Sequence, residues 1–178
     1  MASTYTAKIL ARIIGSEIIT LDTGNVGGQH TITQDVAYAA GTASSEVDLV
    51  WSDSRTLPIG TEQLDLTNLT QLDSAGATVN ARIFSKVKAI MFVNTTAIGT
   101  AGALIFGGGT GGAGAADAWA GNEHPSATDA SRFVLTPGGS AHWTIPAGAA
   151  VTNASQDILE VQAIGAEMTY EIVIIGNA

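Results

Sequence analysis

The chain reads as an all-β protein: an antiparallel β-sandwich of jelly-roll-like form, with an N-terminal strand or arm segment. Three observations predict this. Apolar residues alternate with polar ones at a period of two through most of the chain, not at 3.6. Clusters of Gly, Pro, Asn and Asp interrupt the alternation at short intervals, which suggests a sandwich or a barrel, and the sandwich is preferred. The length of 178 residues suits one core and leaves little room for two.

The elements follow in order. Ala7 to Ile14 could group Ile9, Leu10, Ile13 and Ile14 on a helix face, but it is short and β-branched, so a strand is expected. Asp22-Thr23-Gly24-Asn25 is a turn signal. Residues 24–43 are polar and Gly-rich with no sustained period, and are expected to be irregular. In Glu46 to Trp51, Val47, Leu49 and Trp51 alternate with Glu46 and Asp48. Asp53 and Arg55 suit a structural ion pair. Pro58-Ile59-Gly60 marks a soft boundary between an N-terminal strand-loop-strand segment or arm, 1–58, and a sandwich domain, 59–178.

Beyond a turn signal at Asp73 to Gly76, the stretch Lys86 to Val93 becomes apolar on both faces, as does Tyr170 to Ile175. Both are expected to be central strands. Residues 107–129 form a long Gly-rich loop, and loops of that length usually carry function. Phe133 and Leu135 alternate with Arg132 and Val134. Trp143 and Ile145 alternate with His142 and Thr144. Leu159, Val161 and Ala163 alternate with Glu160 and Gln162. Thr136 to Gly139, Pro146 to Gly148 and Gly176-Asn177 are turn or end signals, and Trp51 and Trp143 are expected in the core.

Charge is the compositional anomaly. Asp, Glu, Lys and Arg make up 13% of the chain, against about 25% in ordinary soluble domains. Seven cations against sixteen anions leave a net charge of −9, too acidic for a phosphate-neutralising stripe, so nucleic acid is excluded as a partner. There is no Cys for a disulfide framework or thiolate metal site. No apolar run reaches the ~20 residues of a membrane helix. Arg12 and Glu17 break the apolar start and no signal-type cleavage pattern follows, so the chain reads as mature protein. In place of charge stand 29 Ala, 21 Gly and 21 Thr. Such side chains lose little rotamer entropy on burial and avoid the desolvation of charge. They suit a surface buried against other subunits.

Candidate chemistry is sparse. The Gly-rich run lacks the Lys of a phosphate loop, since Lys88 is the last Lys in the chain. His30, His124 and His142 show no metal-pair spacing. The carboxylates form neither an EF-hand nor an evident catalytic couple. No G-x-S-x-G elbow is present. No catalytic, cofactor-binding or metal-ligating residue is therefore expected, and no cofactor. Trp119 and His124, both in the long loop, are the candidate partner contacts, because Trp is enriched at interface hot spots.

Several motifs together resemble a family of small β-rich structural proteins of tailed bacteriophages and prophages. They run from Thr4-Tyr5-Thr6-Ala7-Lys8 through Trp51-Ser52-Asp53-Ser54-Arg55-Thr56-Leu57 and Glu62-Gln63-Leu64-Asp65-Leu66. Ala81-Arg82-Ile83, Lys86-Val87-Lys88-Ala89-Ile90, Leu104-Ile105-Phe106-Gly107-Gly108 and Leu135-Thr136-Pro137-Gly138-Gly139 continue the pattern. Ile158-Leu159-Glu160-Val161 and Met168 to Gly176 close it. These are packing motifs, and the loop from Asn94 to Asp129 departs from them in being more Gly-rich. The resemblance implies a non-enzymatic virion component, made in the bacterial cytoplasm. It does not by itself say head, collar or tail; the acidic charge, small-residue surfaces and many β-edges favour a capsid decoration or cement protein on the outer surface of the head. Such a protein would bind the major capsid protein or other virion proteins as a homo-oligomer, with a trimer favoured. A tail, collar or baseplate component is the alternative, and a carbohydrate-binding β-sandwich a more distant one.

Overall fold

The computed structural model describes residues 7–21, 24–72, 78–107, 133–153 and 157–178. Among them there is no helix. Two four-stranded antiparallel sheets form the body. One has the order β11 (Ser140–Ala150), β8 (Lys86–Asn94), β13 (Met168–Asn177), β4 (Leu49–Leu57). The other has the order β10 (Phe133–Leu135), β9 (Ala103–Phe106), β12 (Ile158–Ile164), β5 (Gly60–Asp65). A hairpin of β6 (Leu69–Leu72) and β7 (Thr78–Arg82) lies between β5 and β8 in the chain.

The pairs β9–β10, β8–β11, β5–β12 and β4–β13 nest one outside the next in sequence and fall alternately in the two sheets. This nested pairing builds an antiparallel sandwich of two sheets. The alternating residues meet between the layers. Trp51, Ile90, Phe92, Tyr170, Ile172 and Ile174 come from one sheet, and Leu64, Leu104, Phe106, Leu159 and Val161 from the other. Phe92 and Phe106 join the layers with ring centroids 3.7 Å apart.

The two segments expected to be central strands, β8 and β13, are the inner pair of their sheet. Their second apolar face has its own cover. Tyr38 and Val47 bury Ala89 and Ile175 there, flanked by Val36, Val50 and Val173. That cover is the foot of a long ribbon. β1 (Ala7–Leu21) pairs antiparallel with β2 (Gly24–Ala40) from Ala7 opposite Tyr38 to Leu21 opposite Gly24. β3 (Glu46–Val47) then runs parallel to the end of β2. At ~3.4 Å per residue the fifteen paired residues of β1 span roughly 50 Å.

Four expectations change. Residues 24–40 are a strand, not irregular: Gly27 and Gly28 stand opposite Ile18 and Glu17. Pairing with β1 supplies the backbone partners, and pairing leaves no period in one strand's sequence. β4 precedes the expected boundary at 58 yet belongs to the sandwich, because Leu49, Trp51 and Leu57 are buried in the common core. What stands outside the two sheets before β4 is the ribbon and β3, up to Val47. Pro146-Ala147-Gly148 does not end a strand. β11 passes through it with a register shift between Thr144 and Ala149, and Gly148 takes a φ of +82°. An edge strand tolerates Pro at such an irregularity, since no neighbour needs its missing N–H. Glu160, on the face of β12 opposite Leu159 and Val161, is buried too, and its Oε2 has no hydrogen-bond partner among the described residues. The turn signal at Asp73 to Gly76 lies outside the described residues.

Candidate interface

The register brings four connections to one end of the sandwich. Leu57 pairs with Met168, Tyr170 with Asn94, Ile164 with Ala103, and Leu135 with Leu104. The links β4–β5 (58–59), β8–β9 (95–102), β10–β11 (136–139) and β12–β13 (165–167) therefore form one pole. Asn94, fully buried, ties two of them together. Its Nδ2 donates to the carbonyl of Leu135 at 2.9 Å, its Oδ1 accepts from the Thr96 amide at 3.1 Å, and its backbone bonds Gly138 and Gly139. The Thr95 amide donates to the Thr169 carbonyl at 2.9 Å, and the Thr169 amide to Thr96 Oγ1 at 2.8 Å. Gly102 adopts φ +116°, and a Cβ there would stand 2.2 Å from the Ile164 carbonyl oxygen. Only Gly allows the β8–β9 and β12–β13 links to approach that closely.

These links form a stiff surface almost without charge. Glu167 is the one charged residue in them. Large apolar side chains point outward: Ile98 is 87% exposed, Ile59 68% and Ile164, at the end of β12, 39%. A hydrogen-bonded backbone that presents isolated apolar side chains loses little entropy on contact and no ionic hydration. Chemically it can seal against another apolar surface.

Just below the pole lies a dense polar cluster. Arg55 Nε donates to Asp53 Oδ2 at 2.9 Å and Arg55 Nη1 to Glu62 Oε2 at 2.8 Å. The buried Tyr170 hydroxyl donates to Glu62 Oε1 at 2.5 Å. The guanidinium also lies 5.8 Å from the centre of the Trp51 ring, within cation–π reach. Burial works against the Arg55 charge, but the hydrogen bond and charge of Glu62, helped by Tyr170 and Asp53, outweigh it and raise its pKa. Burial first, then the Glu62 hydrogen bond and charge, hold the Tyr170 hydroxyl far above its ordinary value. Asp53 and Arg55 form the ion pair their spacing suggests. Glu62 and Tyr170 complete it, and their only signal in sequence is an inward-parity Glu two residues before Leu64. Both carboxylates here answer to one guanidinium.

A third region fixes the ribbon. Lys88 is buried on the outer side of its sheet, and its ammonium donates to the carbonyls of Ala43 (2.5 Å) and Glu46. Asn177 Nδ2 donates to the carbonyl of Gly41 at 3.0 Å and to that of Glu46 at 3.3 Å. Burial, then the nearby Lys86 charge, lower the Lys88 pKa. Beside this foot, Lys8, Met91 and His142 line a cleft of about 350 Å³ over Ala89 and Val173.

Trp119 and His124 lie outside the described residues. His142 is exposed on the polar side of β11, as its parity implies. Among the described residues no three His, Cys, Asp or Glu side chains gather as metal ligands. The fold thus defines a two-sheet β-sandwich that carries a long β-ribbon. No family model, no curated protein and no solved structure matches the chain.

Proposed function

We propose that the chain is a non-enzymatic structural protein of a tailed-phage virion, a decoration or cement protein that binds the outer surface of the head shell. One observation carries the reading: the four-link pole, knit by Asn94 and nearly free of charge, that presents Ile98 and Ile59. A cement protein needs such a stiff apolar contact, and many copies on one particle let each contact be weak. The pole's links contribute only Glu167 to the chain's net charge of −9, which favours solubility before assembly or attraction to a basic patch on the shell. The resemblance of its packing motifs to those of phage structural proteins supports the same reading. The partner is the major capsid protein or another virion protein, not nucleic acid or a membrane.

Electron microscopy of intact particles tests the proposal. The expected result is density for the sandwich on the head exterior, with occupancy falling at least ~10-fold for Ile98→Asp, the loss of about 1.4 kcal/mol of contact energy. Because Ile98 is 87% exposed, the substitution should change stability by no more than about 0.5 kcal/mol. Absence from the particle overturns the proposal. Density at the tail, collar or baseplate replaces the head by that address.

A further inference from the structure

We propose that two copies of this chain join edge to edge through β1, antiparallel about a two-fold axis at Ile14, so that two ribbons become one four-stranded sheet. The observation behind it is an edge strand of unusual character. Among the described residues β1 is paired on one side only, since the sheet runs β1-β2-β3. Its fifteen residues pair with β2 without a single register shift. Its sequence, AKILARIIGSEIITL, holds five Ile and two Leu, no Pro, and only Lys8, Arg12 and Glu17 as charges. Proteins protect open edges by keeping them short, bulged, or rich in Lys and Pro. β1 has none of these protections through its middle, and a two-stranded ribbon is marginal in water by itself. The edge is built to be covered.

The strand supplies its own complement. A two-fold axis normal to the sheet keeps each face on its own side, so residues of like parity oppose each other. Centred on Ile14, this register sets Ile9 opposite Ile19, Leu10 opposite Ile18, Ala7 opposite Leu21, and Ile14 opposite its own copy. Lys8, Arg12 and Glu17 fall opposite Thr20, Ser16 and Ala11. No like charges meet, and all fifteen residues of β1 take part, so no shorter register covers the edge as fully. The association number is two, in place of the three that decoration proteins imply.

The test uses the purified full-length protein without particles, so it stands apart from the particle-binding proposal. With no native Cys, Ile14→Cys carries the sole thiol. A short bis-maleimide should link Ile14→Cys into a covalent dimer. It should leave Lys8→Cys unlinked, because the two positions 8 would lie twelve residues apart, roughly 40 Å. Light scattering should give a dimer for the unmodified chain at about 100 μM, where a micromolar contact is saturated. It should give a monomer with an unchanged circular-dichroism spectrum for Ile14→Lys. A monomeric or trimeric unmodified chain overturns the proposal. So does equal linking at position 8, or a dimer that survives Ile14→Lys.

Discussion

The two flanks of the sandwich face the same physical problem and solve it by opposite means. Where two sheets end side by side, the gap between their edge strands opens the core to water. Between β11 and β10 the gap is filled by rings. Trp143 stacks on Phe133 with centroids 5.4 Å apart and leans on Phe92 at 5.7 Å. Between β4 and β5 it is filled by Arg55, Asp53, Glu62 and the Tyr170 hydroxyl. The aromatic flank gains from transfer out of water and tolerates small shifts. The ionic flank holds only while each charge keeps its partner. In a chain with seven cations, placing one inside the sandwich wall is a costly choice, and it fixes the position of β4 against β5 beneath the pole.

The largest effect should come from the aromatic side. Phe92 is fully buried and touches both Phe106 and Trp143, so Phe92→Ala should destabilise by about 3–5 kcal/mol through lost transfer energy and an unfilled cavity. Denaturant unfolding measures it. A loss under about 1 kcal/mol would mean that the two layers are not joined through this ring pair.

On the ionic side, Arg55→Met removes the one cation and leaves two carboxylates facing each other. With 30% of the Arg55 and Asp53 side chains and 21% of that of Glu62 in water, solvent relieves part of the penalty, and a loss of about 2 kcal/mol is expected. The double change Arg55→Met with Glu62→Gln should recover roughly half of it, because the unpaired charge goes too. A single variant as stable as the parent would reduce the cluster to surface decoration, and the two flanks would then not differ in kind.

Much of this architecture is legible in the order of the residues. Period-two alternation finds Val47, Leu49, Trp51, Leu159 and Val161 as buried, because a half-buried strand writes its environment into every second residue. Two-faced apolarity places β8 and β13 at the centre of their sheet. The ribbon's return strand escapes, since its backbone is satisfied by a neighbour 15 to 31 positions away in the pairs Gly15–His30 to Ala7–Tyr38 nearest the foot. Lys88 misleads for a related reason. It sits at the polar-looking start of a central strand, yet carbonyls of the 41–46 link accept its ammonium. The pole is the least legible of all. It draws residues from four links spread over more than a hundred positions, and only the nested pairing of β4–β13, β5–β12, β8–β11 and β9–β10 gathers them.

The smallest effect, and the one that best separates the flanks, is a response to alkali. The Tyr170 hydroxyl is pushed well above its ordinary value of 10.0, by burial first and by Glu62 second. A group whose pKa is higher folded than unfolded holds its proton in the native state while the unfolded chain gives it up. Its stabilisation is complete below about pH 10 and drains away above it, at up to about 1.4 kcal/mol per pH unit. The parent should therefore lose up to about 1 kcal/mol between pH 10 and 11 that Tyr170→Phe does not lose. Difference absorbance in the phenolate band should show one more tyrosine ionising only on unfolding in the parent than in Tyr170→Phe, since Tyr38, also raised by burial, is common to both. Equal alkaline slopes for parent and variant would mean that the hydroxyl is open to water and the β4–β5 flank is not sealed. The ring-filled flank carries no titrating group in its stack, so Trp143→Leu should leave the slope unchanged while lowering stability at every pH.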